Sequence, residues 1–149
     1  MRNLTLLAFA LVALCIAQDG SDPWAKSDIV APATLAPEIG AKGPAVFSVA
    51  FPMLYRNKHI TGAKDVGPGS KPEGIALLKK AVAGMPKDAD LVIYCGCCPM
   101  VKCPNVRPAF RALKEMGFTH VRVLDIPTNM ATDWYSKNYP TEAGSAAAK

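Results

Sequence analysis

The chain has 149 residues, of which 50% are hydrophobic and 19% are charged, and its formal net charge at pH 7 is +5. This length suffices for one domain with a substantial core, and the composition excludes an intrinsically disordered chain. The basic residues do not form runs interleaved with aromatic residues, so we expect no nucleic-acid partner. A mildly basic surface favours small anions instead, because it raises their local concentration.

The N-terminal segment has the pattern of a signal peptide. Arg2 precedes an apolar stretch from residue 4 to residue 17, in which Cys15 and Ala17 supply small residues for cleavage before Gln18. This stretch is shorter than a comfortable membrane span. The sequence therefore predicts a periplasmic or secreted protein, cleaved near Ala17 and without stable membrane insertion afterwards.

Strands and helices then alternate three times with short connections. Strands are predicted at 29–30, 45–50, 63–66, 91–94 and 121–124, helices at 32–40, 72–84 and 108–116, and a loop at 53–62. The near-continuous apolar character of strands 45–50 and 91–94 is typical of strands buried on both faces. This order predicts an α/β fold, with a parallel sheet of about four to five strands and helices on both faces.

The composition along the chain also divides it into segments. A signal peptide is predicted at 1–17, a flexible lead-in at 18–28, one domain at 29–141 and a disordered tail at 142–149. Within the domain, His59 and Trp134 are expected to be structural, while Ser48 is expected near a strand end where it can touch a pocket.

Four of the five cysteines lie within nine residues, directly after the strand at 91–94. They are Cys95, Cys97, Cys98 and Cys103. Ligands of open parallel sheets bind beyond the carboxyl ends of the strands, and the N-terminus of the following helix favours anions and thiolates there. Cys95 is therefore the predicted catalytic nucleophile, and Cys103 is its rival because it lies closer to the helix.

The same loop supplies the predicted substrate-binding residues, which are Gly96, Cys97, Cys98 and Arg107. Arg107 precedes Pro108 in the turn that opens the predicted helix, so it can contact an anionic substrate or cap the helix.

Three interpretations of the additional cysteines stay open. They can pair as disulfides, which is the default for an even number of cysteines in an exported chain. One of them can resolve a persulfide or disulfide on Cys95. The four can also bind copper or zinc, but their spacing is not a common zinc pattern. Metal therefore ranks third, and neither a metal ligand nor a cofactor is assigned.

Several short segments resemble the rhodanese-like sulfurtransferase family, over roughly residues 28 to 140. The segment 59–63 (His-Ile-Thr-Gly-Ala) is similar to the family's His-Ile-Pro-Gly-Ala, and 91–95 is similar to the strand that ends in the active cysteine. The helix ending in Gly117-Phe118 and the tail with Trp134 and Tyr139-Pro140 complete the resemblance. It implies that Cys95 accepts a sulfane sulfur as a persulfide and passes it to a thiol or to cyanide.

The chain also departs from the family pattern. Ser48 and Ala50 replace the usual Asp and Arg, Asn129-Met130 replaces a Gly-Gly pair, and eleven residues separate Cys95 from Arg107, which is longer than the usual loop.

Our hypothesis is an exported, thiosulfate sulfurtransferase-like enzyme whose partners are a small anionic sulfur donor and a thiol acceptor. The alternatives are a non-catalytic module that binds copper, zinc or a partner, and a thiol–disulfide oxidoreductase that uses the loop from Cys95 to Cys103.

Overall fold

The computed structural model describes residues 22–144, so the predicted signal peptide lies outside the described residues. The strands are β1 (Ile29–Val30), β2 (Ala45–Ser48), β3 (His59–Ile60), β4 (Lys64–Asp65), β5 (Leu91–Tyr94), β6 (Val121–Leu124) and β7 (Thr141–Glu142). The α-helices are α1 (Pro32–Leu35), α2 (Pro52–Asn57), α3 (Pro72–Val82), α4 (Val106–Glu115) and α5 (Met130–Asp133), and 3₁₀ turns occupy Lys26–Asp28, Ala36–Glu38, Met100–Lys102 and Tyr135–Lys137.

Five strands form one parallel sheet in the order β1-β6-β5-β2-β4. The central strand β5 is buried along its whole length, which explains its continuous apolar sequence. This arrangement confirms the predicted α/β fold class with a parallel sheet flanked by helices.

The two faces of the sheet pack against different helices because successive side chains of a strand point to opposite sides. Phe47, Leu91 and Ile93 belong to a core cluster that includes the apolar faces of α3 and α4. Val92 and Leu124 belong to a second cluster, on the side of α1 and α5. Both faces are therefore covered, and functional groups are left to the strand ends.

The segment 53–62 differs from its prediction as a loop, because it contains α2 and β3. Helix α2 begins at Pro52, and its Met53 is 66% exposed, so it lacks the apolar periodicity by which a helix is recognised. Helix α4 also begins two residues earlier than predicted. Pro108 is its third residue, where its missing N–H leaves no hydrogen bond unmade.

The ends of the domain differ from the predicted boundaries as well. Trp24 is buried against Phe110 in an edge-to-face contact, although the sequence predicted a flexible lead-in through residue 28. Glu142 pairs with His59 in the antiparallel β3–β7 ladder, although the sequence predicted a disordered tail from residue 142. Within residues 22–144, no helix is long and apolar enough to cross a membrane.

The β3–β7 ladder depends on the carboxylate of Glu142. Its Oε1 accepts hydrogen bonds from Gly62 N at 2.9 Å and from His59 Nε2 at 3.2 Å. The Gly62 bond is the main reason that the pKa of Glu142 lies below its ordinary value, with His59 adding to the effect. A lowered pKa means that this carboxylate stabilises the fold fully above its ordinary pKa of 4.5, and this contribution is lost as the pH falls through the lowered pKa of the folded state.

We therefore expect Glu142→Gln to lower Tm at pH 7 by roughly 1–3 °C, a small change because the side chain is half-exposed. The difference from wild type should be smaller at pH 3, because protonation of Glu142 increases as the pH falls towards its lowered pKa. Thermal unfolding at the two pH values measures this, with Glu115→Gln on the exposed face of α4 as the matched control. A difference that persists unchanged at pH 3 would contradict this origin.

Candidate functional site

Cys95 follows the last residue of β5, at the carboxyl end of the central strand. Its side chain is only 5% exposed, and Tyr94 O accepts a hydrogen bond from Val49 N, which holds the end of β5 against the end of β2. The thiol therefore lies on a fixed backbone at the position where parallel sheets bind ligands.

Gly96 turns the chain sharply away from the sheet. Its φ of 75° lies in the left-handed region, and a Cβ at this position would lie 2.1 Å from Met130 Cγ. Gly96 O also accepts a hydrogen bond from Met130 N at 3.3 Å. Glycine is required at this turn for both its conformation and its close approach to Met130.

The turn brings three thiols together. The Sγ atoms of Cys95, Cys97 and Cys103 lie within 4.8 Å of one another, and Cys95 Sγ is 3.1 Å from Cys97 Sγ. Cys98 Sγ lies 3.3 Å from Cys97 Sγ but is not part of this mutual group. All four cysteines are free thiols, so the structure contains none of the predicted disulfides among the described cysteines.

Two of these thiols, Cys97 and Cys103, have raised pKa values. Hydrogen bonding to Cys95 is the main reason that the pKa of the Cys103 thiol is raised, and burial and the charge at Cys95 raise it further. Burial raises the pKa of the Cys97 thiol to about 11, while its hydrogen bond with Cys95 opposes part of the rise. Both thiols therefore stay protonated at neutral pH, beside the Cys95 sulfur.

Asn105 donates a hydrogen bond to the Cys95 sulfur. Its side chain is fully buried, its Nδ2 donates to Cys95 Sγ at 3.3 Å, and its Oδ1 accepts from Ser70 N at 3.0 Å. Asn105 occupies the N-cap position of α4 without capping the helix. Gly69 permits this arrangement, since a Cβ there would lie 2.2 Å from Asn105 O. A buried amide donor of this kind stabilises negative charge on a sulfur atom.

Arg107 lies on the second residue of α4, and its guanidinium points away from the thiols. It donates to Cys103 O and Val101 O at 3.0 Å each, pairs with Asp22, and its Cζ lies 5.5 Å from the centroid of the Trp24 ring. The Arg107 guanidinium thus binds the backbone of the loop and does not contact the Cys95 sulfur.

A pocket of about 270 Å³ opens beside Cys95. Cys95, Gly96 and Cys97 line it, whereas Cys98, Cys103 and Arg107 do not. Ser48, Ala50, Asn129 and Met130, the positions that depart from the family pattern, also line it. The volume suits a small ligand, and among the described residues Lys58 is the one charged side chain in its lining.

The predicted site residues therefore divide into two groups. Cys95, Gly96 and Cys97 meet at the pocket, while Cys103 lies behind Cys95, only 1% exposed. Sequence reasoning missed Asn105, because the helix was predicted from residue 108, which left Asn105 as an unassigned residue of the loop. No signal in the sequence indicates that its side chain turns to Cys95.

The sequence model of the rhodanese-like domain family matches residues 31–126. No curated protein matches the chain.

Solved structures share this fold. A protein from Anabaena sp. is 22% identical, with a TM-score of 0.56, over 76% of this chain and 82% of its own. A rhodanese-like domain from Anabaena sp. is also 22% identical, with a TM-score of 0.52, over 71% of this chain and 98% of its own. A thiosulfate sulfurtransferase from Pseudomonas aeruginosa is 26% identical, with a TM-score of 0.58, over 78% of this chain and 19% of its own.

The donor role of Asn105 can be tested with Asn105→Asp, which keeps the acceptor for Ser70 N but places a carboxylate oxygen against the Cys95 sulfur. We expect alkylation of Cys95 by iodoacetamide at pH 7 to slow roughly tenfold, because the carboxylate disfavours a neighbouring thiolate. Peptide mass mapping of the labelled cysteine measures the rate. Asn138→Asp, at an exposed position, is the control, and equal rates in the two variants would contradict the assignment.

Proposed function

Because the chain belongs to the rhodanese-like domain family, we propose that it is a sulfurtransferase that carries sulfane sulfur as a persulfide on Cys95. The position of Cys95 carries this proposal. Its sulfur is at the end of the central strand, borders the pocket, accepts a hydrogen bond from Asn105 Nδ2 and lies within 4.8 Å of the Cys97 and Cys103 sulfurs.

The proposed reaction has two steps. In the first, the Cys95 thiolate attacks the outer sulfur of a sulfane donor. A new S–S bond forms, the donor's own S–S bond breaks, and the rest of the donor leaves with the electron pair of that bond, as sulfite when the donor is thiosulfate. In the second, an acceptor thiol or cyanide takes the outer sulfur, and the Cys95 thiolate is released. No external oxidant or reductant is consumed.

The residues around Cys95 have distinct roles in this scheme. The Asn105 amide, which donates to its sulfur, stabilises the thiolate before attack and again when it leaves in the second step. Gly96 leaves the sulfur accessible from the pocket, because the chain turns away directly after the nucleophile.

We propose a small anionic sulfane donor. Lys58 supports this choice, as the only cation among the residues that line the pocket. Its Nζ lies 4.9 Å from the Tyr135 ring, which also lines the pocket, so its position is partly defined by a cation–π contact. Ser48 and Ala50 replace a charged pair of the family pattern, which makes the binding of the donor depend on Lys58 more than on the strand end.

Turnover in a thiosulfate:cyanide assay separates the two cysteines considered as nucleophile. Cys95→Ser should reduce turnover by at least about 10³-fold, because a serine hydroxyl cannot form the persulfide. Cys103→Ser is the matched control and should keep most of the activity, since its sulfur does not border the pocket.

Two results would contradict the assignment. Loss of turnover in Cys103→Ser with activity left in Cys95→Ser would make Cys103 the nucleophile. Equal loss in both variants, together with dithiol oxidation by wild type, would favour the thiol–disulfide oxidoreductase.

We propose further that the mature protein is exported. The signal-peptide pattern of residues 1–17 supports this, and it lies outside the described residues. Expression of the full chain in a Gram-negative host, followed by cell fractionation, should yield periplasmic or secreted protein whose N-terminal residue is Gln18. Cytoplasmic protein that retains residues 1–17 would contradict export.

A further inference from the structure

The three thiols at the end of β5 have the spacing of a metal site. Cys95, Cys97 and Cys103 Sγ all lie within 4.8 Å of one another. Three thiolates placed around one ion at a metal–sulfur distance of roughly 2.3 Å would be separated by roughly 4 Å. Small side-chain rotations therefore suffice to enclose an ion, without movement of the backbone.

The surroundings of this cluster supply further sulfur ligands. The cluster borders the pocket described above and a second, narrow cavity between the loop and β6, and among the described residues no carboxylate or imidazole lines either of them. Met130 lines the first and Met100 the second, and both methionines are buried. Thiolate and thioether ligands select soft ions.

The number of ligands distinguishes copper from zinc. A structural zinc site takes four protein ligands, and the described residues offer three mutually close thiols at this place. Cys98, the nearest further thiol, contacts Cys97 at 3.3 Å but lies outside the mutual group. Three soft ligands without a fourth favour Cu(I), which thiolate and thioether ligands select.

We propose that Cys95, Cys97 and Cys103 bind one Cu(I) ion as three thiolates. Binding releases the remaining thiol protons to solvent and changes no oxidation state, because copper enters as Cu(I). The Asn105 amide, which donates to Cys95 Sγ, is an outer partner of the kind that orients metal ligands.

This site shares Cys95 with the sulfur-transfer reaction. A Cys95 sulfur that is bound to copper cannot attack a donor, so copper and a persulfide exclude each other on the same chain. This mutual exclusion of copper and persulfide rests on the proposed function, whereas the binding of copper does not. Copper affinity and sulfur transfer are therefore measured in separate assays. A negative result in one assay does not change the conclusion drawn from the other.

The experiment is an anaerobic titration of the fully reduced protein with Cu(I), in competition with bathocuproine disulfonate. We expect one Cu(I) per chain, and X-ray absorption should show three sulfur ligands. Cys97→Ser should weaken Cu(I) binding at least about tenfold, and it carries little folding risk because Cys97 is exposed. Cys103→Ser, at a buried position, is the second variant and should show the same loss. Cys98→Ser is the matched control and should keep the wild-type Kd.

Three outcomes would overturn the proposal. One is equal Kd values for Cys97→Ser, Cys103→Ser and Cys98→Ser. Another is an absorption spectrum with nitrogen or oxygen ligands, or with only two sulfur ligands. The third is tighter binding of Zn²⁺ than of Cu(I) at the same thiols, with four-coordinate sulfur geometry.

Discussion

The buried side chain of Asn105 joins three segments of the chain at the place where the thiols meet. It links the Gly69–Ser70 turn to the end of β5, and its own backbone opens α4. Both ends of its amide are hydrogen-bonded in the interior, and a buried polar group left without a partner costs about 1–3 kcal/mol. The loop that carries the cysteines is thereby held against the sheet at the nucleophile itself. Gly69 is also needed for this arrangement, because the Cβ of a larger residue would collide with the Asn105 backbone.

Elements with strong periodicity could be predicted from the sequence. β5, β6 and most of α3 are continuous apolar or regularly spaced segments, and the structure has them at nearly the predicted bounds. The segments α2 and α5 were not predicted. Each is a single short helix, too short to show apolar periodicity, and α5 is started by a local cap in which Asn129 Oδ1 accepts from Thr132 N at 2.9 Å.

The candidate site was only partly predictable for a related reason. The strand that ends at Cys95 indicates where a nucleophile lies. Gly96, the next residue, is placed by the turn that follows the strand. The direction of a long side chain does not follow from sequence order, and for this reason the assignment of Arg107 to the substrate finds no support in its contacts. The spatial meeting of Cys95 with Cys103 depends on the 3₁₀ turn at Met100–Lys102, which no periodic pattern indicates.

The chemistry of the site follows from the position of one sulfur among crowded thiols. Cys95 Sγ borders the pocket and accepts a hydrogen bond from the buried Asn105 amide, whereas burial raises the pKa of the Cys97 thiol, and hydrogen bonding to Cys95 and burial raise that of the Cys103 thiol. The most direct test of this account is tandem mass spectrometry of the protein after reaction with thiosulfate and alkylation. The account predicts one additional sulfur atom on Cys95 that cyanide removes, and the additional sulfur on Cys97 or Cys103, or none on any cysteine, would contradict it.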